Sequence, residues 1–130
     1  MLIIVKQKPL ATPRPRATKR GTVYYPANYK KYIAALRKDL QELDIPEGPL
    51  QADIVFVLPR IKKLPVHGNR VIHTKRPDLD NMVKAVLDAL PIPDDARICK
   101  IVAVKYYAAS GEDAHMQIHI SRLEDEKRPQ

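Results

Sequence analysis

Asp78 and Asp80 stand two residues apart, just after Pro77 and just before an apolar-periodic stretch. Lys84 follows four residues later, and a second acid pair, Asp94 and Asp95, closes the segment. Small groups of carboxylates hold hard cations such as Mg²⁺, which bind through one or two acids plus a substrate phosphate. Such a cation polarises water and neutralises charge on a leaving oxygen. A lysine ammonium adds stabilisation to charge building on phosphoryl oxygens. The chemistry that suits these residue types is phosphodiester hydrolysis with Mg²⁺, for which Mn²⁺ can substitute.

The elements around these residues are readable. Leu79, Met82, Val83, Val86, Leu87 and Leu90 recur at the three- and four-residue spacing of one helical face. Asp80, Lys84 and Asp88 form a second row beside it. Pro91 and Pro93 stop the helix. Its two ends lie about 15 Å apart along the axis. Asp95 therefore joins Asp78 and Asp80 only if the following chain doubles back or a second subunit supplies it. Each residue also has a plainer reading. An aspartate can cap the helix, Lys84 can pair with Asp80 at four residues, and Asp94–Asp95 can be a polar turn.

The run Pro77-Asp78-Leu79-Asp80-Asn81, with Lys84, Asp88-Ala89-Leu90 and the closing Asp94-Asp95, resembles the RusA family of Holliday junction resolvases, its phage-type members above all. The match is tight over residues 73 to 95 and looser over residues 9 to 32. The resemblance implies a small homodimeric Mg²⁺-dependent endonuclease that cuts four-way DNA junctions by paired symmetric nicks, in recombination and repair. It implies Asp78, Asp80 and Asp95 as the metal-binding carboxylates and Lys84 as the essential lysine. Whether Asp94 shares the role of Asp95 stays open. An Arg-Pro-Arg element at Arg14 and Arg16 matches one in that family and gives both weight as DNA contacts.

Charge supports a polyanionic partner. The chain of 130 residues carries a formal charge of +8. Residues 1 to 38 hold ten Lys or Arg and no acid, and residues 54 to 77 hold six more and again no acid. Segregation of this kind is the footprint of nucleic-acid binding. Arg14, Arg16, Lys19 and Arg20 line a Pro-stiffened loop that ends in Tyr24 and Tyr25. Lys62, Lys63, Arg70, Lys75 and Arg76 line a long connection from Pro59 to Pro77. Both are expected to meet DNA, the second as a mobile arm that orders on binding.

The remaining expectations concern class and fold. One cysteine, Cys99, excludes an internal disulfide and a cysteine-built zinc site, and its apolar surroundings predict a buried strand position. No apolar run reaches the roughly 18 residues of a membrane span, so a soluble cytoplasmic protein without membrane or small-molecule cofactor is expected. The predicted order is a strand over residues 1 to 6 and a helix over 28 to 43 with Asn28 as its cap. A central strand over 52 to 58, covered on both faces, comes next. The second helix follows, then strands over 97 to 107 and 115 to 121 paired as a hairpin. His115 and His119 share the outward face of the last strand, too far apart to hold one ion. His73 is a neighbour of the site, and His67 has no assigned role. The sum is one α+β domain over residues 1 to 121, a mixed β-sheet with two main helices packed on it, and a frayed tail over 122 to 130. A rival class remains, a non-catalytic structure-specific nucleic-acid-binding protein whose acids only cap and turn. A metal-dependent ribonuclease differs from the leading reading only in substrate.

Overall fold

In a computed structural model describing residues 2–126, the strand at Leu50–Leu58 lies at the centre of a five-stranded mixed sheet. The chain runs β1 (Leu2–Val5), a small ribbon of β2 (Arg16–Ala17) and β3 (Val23–Tyr24), then α1 (Ala27–Leu40) and the central β4 (Leu50–Leu58). It continues through a short β5 (Val71–Ile72), α2 (Leu79–Ala89), a single 3-10 turn at Asp95–Arg97, β6 (Ile98–Tyr107) and β7 (His115–Arg122). The sheet order is β1-β7-β4-β6-β5, with β4 parallel to β6 and antiparallel to β7. The α+β architecture with one mixed sheet and two helices stands as expected.

Alternation along β4 decides the layers. Leu50, Ala52, Ile54, Phe56 and Leu58 are all buried and point to one face, where α1 and α2 lie. Tyr32, Leu36 and Leu40 of α1 meet Met82, Ala85 and Val86 of α2 there, with Met116, Ile118 and Ile120 of β7 beneath them. The opposite face carries Gln51, Asp53 and Val55, which are only half-buried. The expectation that β4 is covered on both faces is therefore corrected. Within one chain both helices sit on the same side, and Leu2, Ile4, Ile72 and Val102 stand exposed on the other.

Three further expectations are corrected. The last two strands do not form a hairpin: β4 lies between β6 and β7 and pairs with both. An almost wholly apolar strand gains more from two hydrogen-bonded neighbours than from an edge place. Cys99 is exposed. Leu50 pairs with Ile98 and Gln51 with Lys100, so Cys99 is the extra residue of a bulge and is left out of the ladder. The first helix begins at Ala27 after Pro26, and the Asn28 side chain accepts from the Tyr29 amide without capping the helix.

The connection over 59 to 77 is more ordered than its sequence suggests. β5 pairs with the end of β6. The Arg60 guanidinium donates to the carbonyls of Pro65, Asn69 and Ala108. Arg70 forms a bidentate pair with Glu112 at 2.6 Å, holding that carboxyl down to about 2. At the C-terminus, Arg122 belongs to β7 and the Leu123 amide donates to the Pro49 carbonyl; the rest of the expected tail, residues 127 to 130, lies outside the described residues.

Candidate active site

Asp78 immediately precedes α2, and Asp80 lies in its first turn. The amphipathic face of α2 fixes this placement: Met82, Ala85, Val86 and Ala89 are buried, so the chain entering the helix is held against the core while both acids face solvent. Asp78 occupies the capping position, yet its carboxylate accepts no capping hydrogen bond. Among the described residues Lys84 makes no ion pair with Asp80. The two plainer readings, a cap and a surface pair, are thus not realised. The two carboxylates lie at the positive end of the helix dipole, where negative charge is stabilising.

Asp78, but not Asp80, lines a cleft of about 690 Å³ together with Ala11, Thr12, Pro13, Arg14, Arg76, Pro77 and Asn81. The Thr12 amide donates to the Asn81 carbonyl at 3.0 Å, and the Thr12 hydroxyl bonds the Tyr29 hydroxyl at 3.0 Å. Together they dock the basic segment onto the first turn of α2. Arg14 and Arg76 therefore flank Asp78 although 62 residues separate them in sequence. Beyond them Arg16 lies in β2, while Lys19 and Arg20 occupy the turn of an exposed ribbon closed by the Thr18–Thr22 and Gly21–Thr18 backbone bonds. Gly21 takes φ +81° there, a conformation that favours glycine. On the ribbon Arg16 pairs with Tyr24, which is 40% exposed. Tyr25 instead packs on Tyr29, ring centroids 5.2 Å apart. Lys62, Lys63, Lys75 and Arg76 are exposed in the second basic connection, whereas Arg70 is engaged by Glu112.

The second acid pair lies elsewhere. Asp94 accepts from the Ala96 amide and so caps the 3-10 turn; Asp95 has no such bond and is exposed. The structure thus separates the roles of the pair: Asp94 is the turn residue. Asp95, however, precedes the start of β6, and Asp78 lies beside its far end, where the Lys105 ammonium reaches the Pro77 carbonyl at 2.7 Å. The chain turns back only after Asp95, along β6, which leaves Asp95 at the end away from Asp78. Among the described residues no group of three or more His, Cys, Asp or Glu is placed to hold a metal ion. Asp78 and Asp80 share the start of α2; Asp95 stays apart from them in a single chain. Oxygen-only donors without protein partners fit a hard divalent cation.

His73 is buried against the Tyr107 ring, centroids 4.2 Å apart, and faces the interior. Burial, and secondarily the Lys105 charge, hold its pKa below the usual imidazole value. It is not among the acids of the cleft. Thr12 and Lys105 were not singled out by sequence reasoning, and Asn81 only as a member of the run from Pro77, without a role. The only signal for Lys105 is a lysine set in an apolar strand run, and Thr12 carries none.

Fold and site together define a small nuclease domain. The chain matches the family described as endodeoxyribonuclease RusA over residues 6–121. It belongs to the RusA family of Holliday junction resolvases and is an endodeoxyribonuclease that acts on branched DNA. It is also 30% identical over 133 residues to the uncharacterized protein YqaN of Bacillus subtilis (strain 168), covering 89% of this chain and 92% of that protein. Among the described residues no helix is long and apolar enough to cross a membrane.

Proposed function

We propose that this chain resolves Holliday junctions as a Mg²⁺-dependent homodimer, nicking two opposed strands symmetrically in DNA recombination and repair. The observation that carries the reading is Asp78, exposed in a cleft walled by Arg14 and Arg76, with Asp80 exposed two residues on in the first turn of α2. A divalent cation held by these carboxylates would supply Lewis-acid activation of water and relief of charge on the leaving oxygen. Asp78 and Asp80 bind it, and Asp95 of a second copy completes the ligand set. Lys84, one helical turn along from Asp80, faces the developing phosphoryl charge. Arg14 and Arg76 hold the phosphates on either side of the scissile bond, as guanidinium forks do. Arg16, Lys19, Arg20, Lys62, Lys63 and Lys75 engage backbone phosphates further out, and Tyr24 offers a stacking face beside Arg16.

Two features support the second copy. The acids of one chain lie towards opposite ends of β6, which supports a ligand set completed from a second subunit. The uncovered sheet face, with Leu2, Ile4, Ile72 and Val102 exposed, gives another copy an apolar surface. Five strands of this length present roughly 600 Å² per subunit, near the lower bound of a specific dimer. A two-fold protein on a two-fold substrate accounts for paired cutting.

One observation favours a second reading, a non-catalytic junction-binding protein: among the described residues of one chain no three-ligand metal group is found. A labelled four-way junction separates the two. The nuclease reading expects cutting in Mg²⁺, and expects Asp80→Asn to bind the junction without cutting it. Absence of cutting of any branched or simple DNA in Mg²⁺ or Mn²⁺ would establish the binding protein instead.

A further inference from the structure

Asp78 is delivered by residues 73 to 77, a segment that leaves the sheet after β5 and makes no ladder of its own. Its attachment to the body runs through one residue of β6. The His73 amide donates to the Lys105 carbonyl at 3.1 Å. The Lys105 ammonium then donates to the Lys75 carbonyl at 2.6 Å and to the Pro77 carbonyl at 2.7 Å. Those carbonyls stand three residues and one residue ahead of Asp78. Among the described residues Lys105 has no carboxylate partner, and it is half-buried. A lysine offers three donors and no acceptor, and hydrogen bonds from an ionised donor are roughly twice as strong as neutral ones. Beneath the segment the His73 ring is packed on Tyr107, ring centroids 4.2 Å apart.

We propose that Lys105 is a positioning residue for the metal-binding acids. Two neighbouring carboxylates repel one another before a cation arrives, and that repulsion acts to open the segment carrying Asp78. The Lys105 ammonium resists it by fixing the backbone on the N-terminal side of Asp78, so that Asp78 stays beside Asp80, which α2 already holds. Lys105 acts on the acids through the backbone and touches neither DNA nor the reacting atoms. This inference rests on the metal-dependent reading above.

The test uses the full chain and Mn²⁺ as probe, titrated by electron paramagnetic resonance in the absence of DNA. Lys105→Met is expected to weaken Mn²⁺ binding about tenfold or more, the scale of outer-shell ligand support, while junction binding in EDTA is unchanged. Lys105→Arg, whose fork can donate to both carbonyls, is expected to recover most of the affinity. Lys38→Met, which removes an equal charge from the exposed side of α1, is expected to leave it unchanged. Mn²⁺ affinity in Lys105→Met equal to that of the wild type would overturn the proposal. So would a failure of Lys105→Arg to retain affinity, a comparison that decides the matter even if Lys105→Met does not fold. A wild type that takes up no Mn²⁺ would instead refute the metal-dependent reading, and this inference with it.

Discussion

Two inactive variants are expected to cut DNA when mixed. Asp78 lies at one end of α2 and Asp95 beyond the other, and the eleven residues of the helix span about 16 Å. The strand between their neighbourhoods, from Ile98 to Lys105, spans about 23 Å. Oxygens bound to one Mg²⁺ lie about 2.1 Å from it, so one chain cannot bridge that gap. Asp80→Asn and Asp95→Asn should each be inactive as homodimers. In a mixed dimer, one site then carries both lesions and the other none. After full exchange of equal amounts, half the dimers are mixed, and about one quarter of the wild-type site number is intact. A cruciform plasmid reads this out: the mixture yields nicked circles, because one live site cuts one strand, whereas the wild type yields linear product. A mixture shown by native mass spectrometry to have exchanged, yet as inactive as either parent, would refute assembly of the site across subunits.

Other outcomes follow from the same coordinates. Mg²⁺ or Mn²⁺ should raise the melting temperature of the wild type, and the gain should shrink in Asp80→Asn; equal gains by calorimetry would count against a metal there. The Glu112 carboxyl is lowered from 4.5 to about 2 by Arg70, so its contribution is full above the unfolded value and is lost as pH falls through the folded one. Chemical denaturation of wild type and Glu112→Gln should therefore differ by about 1–2 kcal/mol at neutral pH, allowing for screening of a quarter-exposed pair, and converge between pH 4.5 and about 2. Phe56→Ala, at a fully buried position of β4, should cost about 3–5 kcal/mol in urea unfolding. Replacing Lys19 and Arg20 by alanine should reduce the salt slope of junction binding by about 1–2 with little change in cutting rate at saturation, measured by anisotropy at several ionic strengths.

Much of the fold is written in local pattern. The α2 stripe, the alternation of β7 and the apolar run of β4 are one-dimensional signals, and each became the expected element. What escaped was pairing. Nothing in the periodicity of β6 and β7 says that a strand 40 residues earlier will lie between them, because ladder partners are selected by burial of β4 and not by nearness in sequence. Cys99 misled for a related reason: its neighbours are apolar, but a one-residue bulge removes it from the ladder. At the site, the spacing of Asp78 and Asp80 was legible because a helix start holds both. The docking of Thr12 on Asn81 and the reach of Lys105 to the Lys75 and Pro77 carbonyls are long-range backbone contacts and leave no local trace. Asp94 and Asp95 are adjacent and chemically alike, and only the hydrogen bond to the Ala96 amide tells them apart.

The place of β4 also bears on how the protein is made. Its two partner strands are synthesised after it, so during translation an almost wholly apolar segment must wait, unpaired, for some forty to seventy further residues to leave the ribosome. A nascent or prematurely terminated chain therefore has no closed core on which to seat the acids. Cells are spared a half-finished nuclease, but the waiting segment is the part of the chain most in need of a chaperone.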